Sequence, residues 1–137
     1  MLQLKKRKDG KVKHRFMATI CFYQDSRHKE SLRWIQSALG VGYISHRKDG
    51  ISEVRINGFK TVGLAIEQLM PFIRFKKTQA ELLLKAVKIL EAVPGANLTD
   101  KDLKEIVGYM LAIQAANYKT RRKNTKEDLY KVLGLTP

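Results

Sequence analysis

Hydrophobic and polar residues alternate with period two along the first quarter of the chain, the pattern of a strand with two unlike faces. From Leu2 to Arg7, Gln3, Lys5 and Arg7 share one face and Leu2 and Leu4 the other. Lys8-Asp9-Gly10 follows, and Asp-Gly between alternating segments predicts a tight hairpin, because glycine tolerates positive φ. The second strand is predicted from about Lys11 to Gln24, with Phe16, Ala18, Ile20 and Phe22 on its apolar face. Lys13, Arg15, Met17, Thr19, Cys21 and Tyr23 form the opposite face, too polar for a core and too apolar for plain solvent. The period then changes to that of a helix. Asp25 or Ser26 caps it, Leu32, Ile35, Ala38 and Leu39 form its stripe, and Gly40 stops it. Trp34 is expected to pack against this core, since large aromatics are mostly buried. A second hairpin spans about Val41 to Asn57 around Lys48-Asp49-Gly50. Tyr43, Ser45 and Arg47 share one face of its first strand. Val54 and Ile56 of its second strand turn to the core, which sends Glu53 and Arg55 outward.

Asn57-Gly58 breaks the strand, and a helix over Phe59–Leu69 carries Val62, Ile66 and Leu69 on one face. Pro71 interrupts it, and Phe72–Phe75 reads as an extended link. A long helix from Lys76 to Val93 follows, with Ala80, Leu83, Leu84, Val87 and Leu90 at helical spacing and Pro94-Gly95 at its end. Thr99 caps a further helix with Leu103, Ile106, Val107, Met110 and Ile113 inward. Residues Asn117 to Asn124 form a basic loop, and Thr125 caps a last helix ending near Leu133. The order β-β-α-β-β-α-α-α-α is an α+β fold: a ββαββα core with a four-stranded antiparallel sheet, helices on one face, and C-terminal helices added. One domain over residues 1–137 is expected, with the core in 1–93 and a helical extension in 99–137. The sheet's other face is left open, and it is the cationic one.

Charge gives that open face a meaning. The chain has 137 residues, with 27 Lys and Arg against 13 Asp and Glu, a formal net charge of +14. In a folded composition this surplus points first to nucleic acid. A membrane surface is disfavoured by the lack of any long apolar run. Cys21 is the one cysteine, so neither a disulfide framework nor a cysteine-rich zinc site is expected, and His14, His28 and His46 lack metal-ligand spacing. No leader pattern precedes Lys5, so a reducing cytoplasmic setting is expected. Lysine and arginine on the open face suit phosphates and guanine edges. Glu53 leaves two readings: it accepts from a cytosine amino group, or it forms a cross-strand ion pair with a neighbouring arginine.

Several strings bear a family resemblance. Gln24, Leu39-Gly40-Val41-Gly42-Tyr43, Arg47-Lys48-Asp49-Gly50-Ile51-Ser52-Glu53-Val54 and above all Leu69-Met70-Pro71-Phe72-Ile73-Arg74-Phe75-Lys76-Lys77-Thr78-Gln79-Ala80 resemble the LAGLIDADG homing endonucleases of the single-motif, homodimeric, intron-encoded type. Asn117-Tyr118-Lys119-Thr120-Arg121-Arg122 fits as well. The resemblance implies site-specific binding of double-stranded DNA and Mg2+-dependent cleavage of phosphodiester bonds at a long target, in the cytoplasm or an organelle. It implies Gln24 and Lys76 as catalytic residues. It implies DNA contacts from Gln3, Lys5, Arg7, Lys13, Arg15, Met17, Cys21, Tyr43, Ser45, Arg47, Glu53 and Arg55, with phosphates held by Lys119, Arg121 and Arg122. The family's first helix, whose acidic end holds the metal and whose body forms the dimer, would lie before Met1. No metal ligand is therefore expected in this chain, since Asp9 and Asp49 sit in turns and Asp25 begins a helix. The alternative is a non-catalytic DNA- or RNA-binding remnant, or an intron RNA maturase.

Overall fold

The computed structural model describes residues 1–10, 13–117 and 123–137. Among these residues four strands, β1 (Leu2–Lys6), β2 (His14–Asp25), β3 (Tyr43–His46) and β4 (Ile51–Asn57), form one antiparallel sheet in the order β1-β2-β4-β3. Among the described residues five helices accompany them: α1 (Glu30–Leu39), α2 (Phe59–Leu69), α3 (Lys77–Ala92), α4 (Asp100–Ala115) and α5 (Lys126–Leu133). The expected α+β order is what is observed.

The core forms where the period-two and helical patterns meet. Register pairs Leu2 with Ala18, Leu4 with Phe16, Ile20 with Ile56, and Phe22 with Val54, which places these apolar side chains on one face of the sheet. Val54 and Ile56 are fully buried there, as are Val62 and Ala65 of α2 and Ala86 and Val87 of α3. Helix α1 lies against β2, β3 and β4, α2 against β2 and β4, and α3 packs between α2 and α4. A one-residue slip of any strand would expose its apolar set, so this burial fixes the register.

Both capping threonines act as expected. Thr99 and Thr125 each accept a backbone N–H from Asp102 and Asp128, whose carboxylates answer the threonine N–H, a reciprocal box at each helix start. Gly40 closes α1 in the left-handed conformation at φ 67°. In the second hairpin the Arg47 N–H bonds the Ile51 carbonyl at 2.8 Å, closing a Lys48-Asp49-Gly50 loop with Gly50 at φ 79°. Gly42, just before β3, has φ 93°, and a Cβ there would lie 2.9 Å from Ile56 Cγ1 and 3.0 Å from the Arg55 carbonyl oxygen. Only glycine admits both that backbone angle and that approach of β3 to β4.

Several expectations are corrected. Trp34 is 71% exposed rather than packed. On α1 it lies about 200° around the axis from the buried Leu32, on the opposite side of the helix. Ala38 is likewise exposed, leaving Leu32, Leu39 and the half-buried Ile35 as the inward stripe. Asp25 caps a short 3-10 turn, Ser26–His28, that precedes α1. The Phe72–Phe75 link is not wholly extended: Met70–Phe72 is a 3-10 turn, Ile73 is extended, and Phe72 and Phe75 are exposed at 78% and 88%. Helix α3 begins at Lys77, so Lys76 is its N-cap.

Candidate nucleic-acid interface

The register that buries one face of the sheet fixes the other. Lys5 lies opposite Arg15 and Gln3 opposite Met17 on the β1–β2 ribbon. Cys21, Arg55 and Tyr43 form one row across β2, β4 and β3, and Tyr23, Glu53 and Ser45 form the next. The Arg7 N–H reaches the Lys13 carbonyl at 2.8 Å, continuing the first ribbon one step beyond the strands. Lys5, Arg7, Lys13, Arg15, Tyr43 and Arg47 are exposed, and Gln3, Met17, Cys21, Ser45 and Arg55 half-buried. The alternation reading thus assembles these residues on one surface. Lys119, Arg121 and Arg122 lie outside the described residues.

Side-chain bonds tie this surface together. Thr19 Oγ1 donates to Asn57 Oδ1 at 2.9 Å, and Asn57 Nδ2 donates to the Tyr43 hydroxyl at 3.2 Å, linking β2, β4 and β3. Asn57 was missed as a surface residue because its Asn-Gly context signals a strand break. Its pairing with Thr19 appears only once the register is known. Arg47 Nη2 meets Asp49 Oδ2 at 2.6 Å with both side chains half exposed, a pair worth about 0–1 kcal/mol and easily exchanged for a phosphate.

Glu53 departs from expectation. It lies on the outer face by register but is 2% exposed, and its carboxylate meets Arg55 Nη2 at 2.5 Å. A sealed carboxylate cannot accept from a base edge, so it is not a direct reader. The ion-pair reading holds with one correction: its partner is two residues along the same strand, on the same face, rather than across it. Glu53 holds the Arg55 guanidinium above its ordinary pKa.

Gln24 and Lys76 occupy different surroundings. Gln24 is exposed at the end of β2, opposite the buried Ser52, and its Oε1 accepts the Asp25 N–H at 3.0 Å. Ser52 Oγ bonds both Ser26 Oγ and His46 Nδ1 at 2.7 Å, pinning the 3-10 turn that precedes α1 to this end of the sheet. Lys76 borders two depressions. One, of about 390 Å³, is shared with Cys21, Tyr23 and Phe75. The other, of about 620 Å³, is shared with Gln3, Lys5 and Gln114. Gln24 lines neither, so the structure groups Lys76 with DNA-contact candidates and leaves Gln24 beside Asp25. A third depression, of about 690 Å³, lies by the first hairpin and includes Arg7, Lys13 and Arg15. Among the described residues Lys76 is the one non-glycine residue with positive φ, at 56°. It also caps α3 without a side-chain bond. Lys76 thus departs at one position from both the conformational and the capping preference of an L-residue.

The carboxylates nearby are already engaged. Asp25 accepts from Arg27 Nε, Nη2 and backbone N–H at 2.9–3.0 Å, and Arg27 holds its pKa well below the usual carboxylate range. Asp49 and Glu53 hold Arg47 and Arg55. Among the described residues no group of three or more His, Cys, Asp or Glu is placed to hold a metal ion. These residues do not make a divalent-metal site. Among the described residues no helix is long and apolar enough to cross a membrane.

Comparison with known proteins gives this surface its context. The DNA endonuclease I-CreI of Chlamydomonas reinhardtii is 30% identical over 131 residues, covering 96% of this chain and 78% of its own length. The DNA endonuclease I-CvuI of Chlorella vulgaris is 31% identical over 88 residues, 64% of this chain and 55% of that protein. No protein-family model matches. With four-fifths of I-CreI spanned at this identity, and with strings such as Pro71-Phe72 through Gln79-Ala80 inside the alignment's reach, the chain belongs to the LAGLIDADG homing endonucleases. The crystal structure of I-CvuI with its target in the presence of 2 mM Ca agrees, with a TM-score of 0.78 and 25% identity over 99% of this chain and 86% of that one.

Proposed function

We propose that this chain is a subunit of a site-specific homing endonuclease that lays the outer face of its sheet in the major groove of double-stranded DNA. The observation that carries this is the one-sidedness of the sheet: Lys5, Arg15, Arg47 and Arg55 share the outer face, while α1 and α2 cover the inner one. The major groove admits a two-stranded ribbon, and the first hairpin is such a ribbon with cations along it. Cations on that face neutralise phosphates. Tyr43, Ser45, Gln3 and Met17 supply the mixed polar and apolar contacts that distinguish base edges.

For cleavage, Lys76 sets a fixed positive charge where the transition state gains negative charge, and the Gln24 amide orients an attacking water. Mg2+ fits the family chemistry of polarising the phosphate, but the described residues offer it no ligand set. The arginine-engaged state of Asp25, Asp49 and Glu53 favours a second reading, in which the chain binds DNA or intron RNA without cutting. The exposure of Phe72 and Phe75 supports self-association as a homodimer.

The test is a magnesium-dependent cleavage assay on long intron-free duplex DNA, run beside binding to duplex DNA and to structured RNA. Cutting that is lost on Lys76→Ala supports the endonuclease. Tight duplex binding without cutting supports the second reading. Preference for structured RNA over duplex DNA overturns the major-groove assignment.

A further inference from the structure

Among the described residues Glu53 is the one buried carboxylate, and its setting on the outer face is asymmetric. Its side chain is 3% exposed, whereas that of its partner Arg55 is 41% exposed. Tyr23 and Ser45 flank it as register partners on either side. An ionised carboxylate is expensive to bury without a charged partner, so the Arg55 Nη2 contact at 2.5 Å is what keeps it in place. The anion is sealed beneath and the guanidinium faces outward.

We infer that Glu53 is a positioning residue whose buried carboxylate presets Arg55 as a reader of guanine, without itself touching DNA. This rests on the reading of the outer face as a duplex DNA surface. A guanidinium carries five N–H donors. Glu53 engages the guanidinium at Nη2, and among the described residues the Nε donor is buried without a partner and the side chain makes no second ion pair. Guanine presents two acceptors, O6 and N7, to a bidentate arginine, the commonest specific contact in the major groove. A lone arginine on a strand samples many rotamers and loses them on binding. One held by a buried anion has already lost them, so its fork is preorganised. The placement has an electrostatic cost, because a carboxylate on this face repels phosphates, and the direction of that cost separates positioning from affinity.

The experiment selects bound sequences from a randomised duplex pool with the full chain, in wild-type form and as Glu53→Gln and Arg55→Lys. Glu53→Gln keeps the shape and removes the charge. The wild type should enrich a defined sequence containing a guanine position that Arg55→Lys abolishes. Glu53→Gln should weaken the preference at that same position on the order of ten-fold, near the lower end of what a bidentate arginine–guanine pair discriminates, and leave other positions unchanged. Its affinity for unrelated duplex should stay level or rise, because one negative charge has gone. Retention of the guanine preference in Glu53→Gln overturns the positioning role, as does a uniform loss at every position. Arg55→Lys, changed at a partly exposed head group, guards against loss of fold, and if it shifts no position Arg55 is not the reader. A wild-type pool with no enriched sequence sinks the DNA reading of the whole surface, before either variant is considered.

Discussion

Replacing Lys76 with glycine should stabilise the protein while removing the charge proposed to serve cleavage. Lys76 sits at φ 56°, ψ 29°, and its side chain is exposed, so little packing is lost with it. Holding an L-residue in the left-handed region costs roughly 1–2 kcal/mol, which glycine does not incur. Glycine returns roughly 0.5–1 kcal/mol of that through its greater freedom in the unfolded chain. The net is a gain of about 0.5–1 kcal/mol. With an unfolding entropy near 0.3 kcal/mol/K for a chain of this length, the melting temperature should rise by about 2–3 °C. Lys76→Ala keeps the backbone strain and should melt within about 1 °C of wild type, because surface changes away from such features are small. Paired thermal and urea melts of the two variants make the comparison. A glycine variant less stable than the alanine variant would refute the strain argument.

Other consequences follow from single contacts. Gly42→Ala should destabilise by about 2–4 kcal/mol, from the strained backbone and from overpacking against Ile56 and the Arg55 carbonyl, measured as a lower urea midpoint with unchanged slope. Trp34→Ala should change stability by less than about 0.5 kcal/mol, since the side chain faces solvent; a loss of several kcal/mol would mean it is packed after all. Arg27 depresses the Asp25 pKa on folding, so this carboxylate stabilises fully above its unfolded value of about 3.9 and less as pH falls below it. Asp25→Asn should therefore melt below wild type at pH 7, with the gap narrowing toward pH 3, and a gap that widens in acid would contradict the linkage.

Period and turn chemistry made most of the fold legible before any coordinates. The apolar partners Phe16, Ala18, Ile20, Val54 and Ile56 declared the inner face, and by the period of two their neighbours declared the outer one. Thr99 and Thr125 announced their helices because a capping residue acts within its own turn. What stayed hidden depended on distance along the chain. The neighbours of Glu53 in the sheet, Tyr23 and Ser45, lie on other strands. The role of Asn57 depends on Thr19, thirty-eight residues away. Trp34 faces solvent because its angle on α1 outweighs the general tendency of tryptophan toward burial. The left-handed backbone of Lys76 has no sequence signal, since lysine is not the residue that conformation selects. It became visible only in the geometry between the Met70–Phe72 turn and α3.

On the proposed reading, the outer face of the sheet, and not the helical side, meets duplex DNA. Its most direct test is salt-dependent binding to duplex DNA by two triple variants with equal charge loss. One neutralises Lys5, Lys13 and Arg15 to glutamine on the sheet, and the other neutralises Lys60, Lys85 and Lys101 to glutamine on α2, α3 and α4. The sheet variant should lose affinity and flatten the plot of log affinity against log salt by up to about 0.9 per phosphate contact removed. The helix variant should bind nearly as wild type does. Equal losses in the two, or the larger loss in the helix variant, would contradict the account.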